Sequence, residues 1–133
     1  MSFRILGTGK AEPEFILTND RLSEIIDTSD EWIVQRTGIK SRRIVTGDET
    51  MASLSLKAAR EALADANTAA SELDLILFAT MSADYTMPAQ ACILGRDLGA
   101  KCPAYDINAA CTGFIYALDA ADSYFKADRK SVV

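Results

Sequence analysis

The 133-residue sequence contains no histidine. Without an imidazole, no Ser-His or Cys-His pair can be completed within these residues, and histidine-containing zinc sites are excluded. Catalysis must then use carboxylates, cysteine, lysine or tyrosine, or draw on another segment. Basic residues are also in short supply: 14 Lys and Arg against 19 Asp and Glu give a net charge of -5. That balance argues against binding a nucleic-acid backbone, whose affinity rests on neutralising phosphates, and serves solubility instead. The three cysteines, Cys92, Cys102 and Cys111, form no C-x-x-C pair. An odd number at irregular spacing fits reduced cytosolic thiols better than a secreted disulfide scaffold, and speaks against a redox or metal-thiol protein. The N-terminus lacks the apolar stretch of a signal peptide, and no run approaches the ~18 apolar residues of a membrane span. The expectation is a soluble, cytoplasmic protein with no nucleic-acid or membrane partner.

What is present, 49% hydrophobic and 25% charged residues, is the profile of a folded domain. At this length a chain buries roughly two-thirds of its unfolded surface and needs no disulfide or structural metal. Residues 3–6 form an apolar strand candidate running into Gly7-Thr8-Gly9, where glycines permit a tight turn. A dinucleotide fingerprint fails here, because Glu12 stands where the third glycine belongs and Pro13 follows where the phosphate-binding helix should start. Asn19 can cap a short helix with Leu22, Ile25 and Ile26 on one face. Thr28-Ser29-Asp30-Glu31 has the form of a capping box, opening a helix that Gly38 closes. Lys40, Arg42 and Arg43 then make the densest basic cluster, which is either a solvated loop or a binding patch.

Thr50 can cap a long helix to about Asn67, with Met51, Leu54, Ala58, Leu63 and Ala66 spaced as a buried stripe. Residues 73–80 read as a strand buried on both faces, which favours a parallel sheet under helices. Pro88 suits the start of a helix over 89–98, ended by Gly99. Residues 103–107 form a further strand, and a helix over 111–126 places Phe114, Leu118, Ala121 and Phe125 on one face. Alternating strands and helices predict an α/β layered fold. Asp128-Arg129-Lys130 reads as a turn and Ser131-Val132-Val133 as a strand that stops early, so the chain is expected to be a piece of a larger domain.

In open α/β sheets, function gathers where strands end and lead into helix N-termini. Cys111 falls there, after the strand ending at Ile107 and the turn Asn108-Ala109-Ala110, with Gly113 close behind. Small neighbours let a substrate carbonyl approach the sulfur, and the unpaired N–H groups and positive dipole end of the helix favour a thiolate and a developing oxyanion. A buried packing role competes, because free cysteines are often core residues. Packing is the reading for Cys92, mid-helix, and for Cys102, before a proline at a strand start.

Three blocks now stand out: Asp27-Thr28-Ser29-Asp30-Glu31-Trp32-Ile33, Arg36-Thr37-Gly38-Ile39 and Asp106-Ile107-Asn108-Ala109-Ala110-Cys111-Thr112-Gly113-Phe114. With the stretches 82–88 and 90–92 they resemble, in order along the whole chain, the N-terminal half of beta-ketoacyl-acyl-carrier-protein synthase III. The resemblance implies a thiolase-like fold of two α/β halves, of which residues 1–133 are the first, with a mixed, mostly parallel sheet and helices on its faces. It implies an acyltransferase that starts fatty-acid synthesis. An acyl group passes from coenzyme A to a nucleophilic cysteine, matched by Cys111, and malonyl-acyl-carrier protein then decarboxylates and condenses with it. No cofactor is implied, since the coenzyme A thioester is a substrate.

By the same resemblance, Trp32 and Arg36, with Thr28 close by, hold the adenine end of coenzyme A. An indole offers a stacking face and a guanidinium binds phosphate or stacks on a ring, although Trp32 could equally be a core anchor and Arg36 a surface ion-pair partner. Met87 matches a position lining the acyl pocket of the neighbouring subunit across a homodimer interface, where relatives often carry Phe. Methionine's adaptability points to an acyl preference other than strict acetyl. The family's decarboxylating His and Asn lie in the second half, so the isolated chain is expected to be inactive in condensation. The alternatives are another thiolase-fold condensing enzyme, of the polyketide starter or quinolone type, or a non-catalytic half-domain acting as an interaction module.

Overall fold

A computed structural model describes residues 4–127, so Phe3 of the first strand candidate, the turn at 128–130 and the final strand at 131–133 lie outside the described residues. The chain divides into two compact units, Glu12–Glu49 on the one hand, and the residues up to Ala11 together with those from Thr50 onward on the other.

In the smaller unit, strand β1 (Phe15–Thr18) pairs antiparallel with β2 (Ser41–Ile44), Phe15 opposite Ile44 and Thr18 opposite Ser41. Helices α1 (Asn19–Ser23) and α2 (Asp30–Thr37) lie between them in sequence. The basic cluster is therefore partly strand, and β alternation splits its roles. The half-buried Arg42 donates to the Leu17 carbonyl at 3.3 Å, while Arg43 is an exposed partner of Glu12 at 2.7 Å. Both expected helix caps move by one residue. Thr18, not Asn19, caps α1 by accepting from the Arg21 amide, and Ser29, not Thr28, caps α2 by accepting from the Trp32 amide. Asn19 is buried instead. The face expected from Leu22, Ile25 and Ile26 does not form: the Leu22 carbonyl takes both the Ile25 and Ile26 amides, the helix ends, and the two isoleucines are exposed. Gly38 ends α2 as expected, at φ +72°, a left-handed conformation that glycine adopts without strain.

The larger unit runs α3 (Met51–Asp65), a 3-10 turn (Ala70–Glu72), β3 (Ile76–Ala79), α4 (Gln90–Leu98), β4 (Ala104–Ile107), a second 3-10 turn (Ala110–Thr112) and α5 (Gly113–Lys126). β3 and β4 are parallel neighbours, Ile76 opposite Ala104 and Ala79 opposite Ile107, joined through α4. Parallel pairing requires such a crossover. The core is built on a cluster of Ala59 and Leu63 of α3 with Leu73, Ile76, Ala91 and Leu94, each leucine or isoleucine worth roughly 1.5–3 kcal/mol when fully removed from water. Thr50 caps α3 in a reciprocal box with Ser53, and the helix stops two residues before the expected Asn67. Met51, Leu54, Ala58 and Ala66 are half-buried, whereas Ala59 and Leu63 are buried.

Arg4, Ile5 and Leu6 form no strand. The glycines after them serve close packing. A side chain at Gly7 would collide with the Ala62 carbonyl and one at Gly9 with the Ala58 carbonyl, so this segment lies directly on the backbone of α3. Thr8 and Lys10 donate their amides to the Asp65 and Glu61 carboxylates at 2.9 and 3.0 Å. Such contacts account for Gly-Thr-Gly without a phosphate ligand. No helix among the described residues is long and apolar enough to cross a membrane.

Candidate active site

Cys111 sits in the 3-10 turn between β4 and α5, two residues before the first residue of α5, and is exposed. Two features form this elbow. Ala110 takes φ +46°, a left-handed conformation uncommon for a residue with a Cβ, so the chain turns sharply just before the cysteine. Gly113 is buried with the position of a Cβ 3.4 Å from Ala79, so α5 starts hard against the end of β3. The 3-10 turn runs straight into α5, the Thr112 amide donating to the Ala109 carbonyl and the Gly113 amide to the Ala110 carbonyl, so backbone rather than a side chain closes the start of that helix. Thr112 turns its hydroxyl back onto the Ala109 carbonyl at 2.7 Å. On α5, Ala121 is buried and Leu118 and Phe125 are half-buried, as the predicted face requires, whereas Phe114 at its start is 66% exposed, with Ile115 and Tyr116 beside it.

The other cysteines differ from each other. Cys92 is exposed, contrary to its expected packing role, because its face of α4 turns outward while Ala91, Ile93 and Leu94 are buried; its thiol contacts the Ala104 carbonyl at 3.5 Å. Cys102 does pack against the core, and burial pushes its thiol above the ordinary range.

Met87 lies in the loop that leaves the carboxyl end of β3, as Cys111 lies in the loop that leaves the adjacent end of β4. It is 86% exposed and borders an open cleft of about 710 Å³ with Tyr85, Pro88, Ile93 and Arg96; Cys111 does not line that cleft. The helix after it starts at Gln90, with Ala89 as its N-cap and Pro88 one residue outside, and Ala89 has no side chain to cap with. Its first two amides are served from β4: the Asp106 carboxylate accepts from Gln90 and Ala91 at 2.8 Å each. The Gln90 amide oxygen in turn accepts from the Asp84 amide at 3.0 Å, and the Asp84 carboxylate accepts from the Met51 and Ala52 amides at the start of α3. Sequence reasoning did not find this network. Its one signal was Asp106 itself, a carboxylate inside an otherwise apolar, half-buried strand, which requires partners.

Thr28, Trp32 and Arg36 belong to the smaller unit. Trp32 is 52% exposed, so the core anchor of α2 is Ile33 instead. One turn on, the Arg36 guanidinium lies over the indole, 4.2 Å from the ring centroid. That stack presents a flat π face and up to five N–H donors side by side, a surface suited to an aromatic base and a phosphate. Thr28 is half-buried just before the Ser29 cap. The structure thus groups Trp32 with Arg36 on one turn of α2, and carries Cys111 and Met87 on neighbouring loops at one end of the parallel strands.

Comparison with known proteins adds to this geometry. A family model for 3-oxoacyl-[acyl-carrier-protein (ACP)] synthase III matches residues 105–133. The chain is 50% identical over 130 residues to beta-ketoacyl-[acyl-carrier-protein] synthase III of Aquifex aeolicus, covering 97% of this chain and 42% of that protein. A relative of the same description from Vibrio parahaemolyticus is 49% identical, with 95% and 40% covered. The chain therefore spans about two-fifths of the length of the curated relatives it matches. The crystal structure of the Aquifex aeolicus synthase superposes with a TM-score of 0.92 over 95% of this chain and 41% of that one. That of the priming beta-ketosynthase from the R1128 polyketide pathway does so with a TM-score of 0.87 at 37% identity, over 91% and 36%. The fold is the thiolase-like α/β fold expected from the sequence.

Proposed function

We propose, on the premise that this chain is a partial counterpart of beta-ketoacyl-[acyl-carrier-protein] synthase III, that it carries the acyl-accepting site of a condensing enzyme which starts fatty-acid synthesis in the cytoplasm. The observation that carries this reading is the exposed Cys111 in the elbow between β4 and α5, at the carboxyl end of two parallel strands. The Cys111 sulfur attacks the carbonyl carbon of an acyl-coenzyme A thioester. Backbone N–H groups around the elbow stabilise the tetrahedral oxyanion, the carbon–sulfur bond to coenzyme A breaks, and coenzyme A leaves as its thiol. Malonyl-acyl-carrier protein then loses carbon dioxide, and the carbanion attacks the Cys111 thioester. A 3-oxoacyl-carrier protein forms and the thiolate returns.

Trp32 and Arg36, with Thr28 beside them, take the nucleotide end of coenzyme A through the stacked ring and guanidinium. Met87 lines an acyl pocket across a homodimer interface and sets primer preference. The carbanion needs a stabilising group that these residues do not provide, since the sequence holds no imidazole. The isolated chain is accordingly inactive in condensation while Cys111 remains chemically competent. A polyketide-priming role shares the same loading step and is supported by the R1128 likeness, at lower identity than the fatty-acid synthase.

The test is acyl transfer to the 133-residue chain. After incubation with acetyl-coenzyme A, peptide mass mapping is expected to find one acetyl group on Cys111 and none in the Cys111→Ser variant. In parallel, iodoacetamide should modify Cys111 about tenfold faster than Cys92, although both are exposed. Equal, slow alkylation of the two, or acetyl on Cys92 instead, would overturn the nucleophile and favour a non-catalytic interaction module.

A further inference from the structure

The smaller unit has one buried polar residue among those described, Asn19, 1% exposed. Its side chain is fully committed. The amide nitrogen donates to Asp30 Oδ1 at 2.8 Å and to the Ile39 carbonyl at 2.7 Å, and its oxygen accepts from Arg42 Nη2 at 2.5 Å. Asp30 is the first residue of α2 and Ile39 follows its Gly38 end, so one side chain grips both ends of an eight-residue helix. Arg42 belongs to β2 and also holds the Leu17 carbonyl of β1, which fixes the grip to the strand pair. Two helical turns are too few to hold an orientation by themselves. The only side chain of α2 buried in this unit is Ile33, which fixes depth but leaves rotation about the helix axis weakly set.

We infer that Asn19 is a positioning residue for the Trp32–Arg36 pair: by clamping both ends of α2 to β2 it sets the direction in which the stacked indole and guanidinium face their ligand. The inference rests on the proposed nucleotide-end role of that pair and adds a residue that touches neither the ligand nor the reacting atoms.

Trp32 is the sole tryptophan, so its emission reports on α2 alone. Coenzyme A is titrated into the chain, the Asn19→Asp variant and the Asn19→Asp/Asp30→Asn double variant, with Trp32 quenching as the readout. The single change removes both amide donors and sets a carboxylate against Asp30. The double change restores the contact to residue 30 with its polarity reversed, and leaves the one to the Ile39 carbonyl broken. The single variant should bind coenzyme A about tenfold more weakly and the double variant should recover about half of that loss in free energy, to about threefold, with far-UV circular dichroism and the alkylation rate of Cys111 equal in all three. A residue needed only for stability would change the folded fraction and leave the Kd of folded molecules alone. If the aspartate variant does not fold, Asn19→Ser, which keeps a shorter donor, is expected to bind about threefold more weakly. Equal Kd values for the chain and its folded Asn19 variants overturn the positioning role and leave the coenzyme A site standing. No quenching in the unaltered chain overturns the nucleotide-end role, and the positioning role with it.

Discussion

Removing the Asp106 carboxylate tests whether β4 caps α4. Its two oxygens each lie 2.8 Å from an amide nitrogen, those of Gln90 and Ala91, the first two residues of the helix. Both residues are 0% exposed, so water cannot replace a lost acceptor. In Asp106→Ala, each buried donor left without a partner costs about 1–3 kcal/mol, and loss of a helix N-cap costs about 0.5–2 kcal/mol. The two describe overlapping interactions and do not add, giving a total of about 2–4 kcal/mol. Asp106→Asn retains one acceptor and removes the charge, so it should cost about half as much. For a chain of this size 1 kcal/mol moves Tm by about 3–5 °C, so the alanine variant should melt about 6–20 °C lower. Urea denaturation followed by circular dichroism gives the free energies, and hydrogen exchange localises them, with the Gln90 and Ala91 amides losing protection in the alanine variant. A change below about 0.5 kcal/mol, or an asparagine variant as unstable as the alanine one, would refute the cap.

Gly9→Ala should destabilise by more than about 2 kcal/mol, because its Cβ would meet the Ala58 carbonyl within a rigid helix; normal urea stability would show that the segment can lift away freely. Cys102 should alkylate more slowly than exposed Cys92, with its rate–pH profile displaced upward, since burial raises its thiol. The sign follows from the folded value standing above the unfolded one. The stability linked to this thiol is fully present below the ordinary thiol range and is lost as pH rises through the raised value, so a Cys102→Ala variant should show a flatter pH–stability curve there. Coincident labelling profiles for Cys92 and Cys102 would contradict it. In a condensation-competent enzyme carrying this chain's residues, Met87→Phe should shift relative turnover among acetyl, butyryl and branched primers; identical profiles would remove Met87 from the acyl pocket.

The sequence by itself determined the features set by a few neighbouring residues. Gly38 and Gly99 close their helices in left-handed conformations, Thr50 caps α3, and residues 76–79 and 104–107 are parallel strands around a crossover helix. It also put Cys111 at a strand-to-helix elbow, because a short apolar strand, small residues and a following glycine occur within the ten positions 104–113. Its errors there were of one or two residues: α5 starts at Gly113 rather than Cys111, and Ser29 rather than Thr28 caps α2. Adjacent hydroxyl residues offer the same local capping chemistry, and the surrounding chain chooses between them.

Only tertiary structure decided which side chains meet. β1 and β2 escaped notice because four-residue strands carry little periodicity, and Arg42-Arg43 reads as solvated until a partner strand covers one arginine and leaves the other outside. Asn19 offers a cap to a local reading, yet its partners lie 11 to 23 residues away. Asp106 serves a helix that begins 16 residues before it, and the exposure of Cys92 depends on which face of α4 the core takes. Capping and turn preferences act over about one helical turn and survive in the order of residues. Burial, and the partners it demands of polar groups, exist only once distant segments have been brought together.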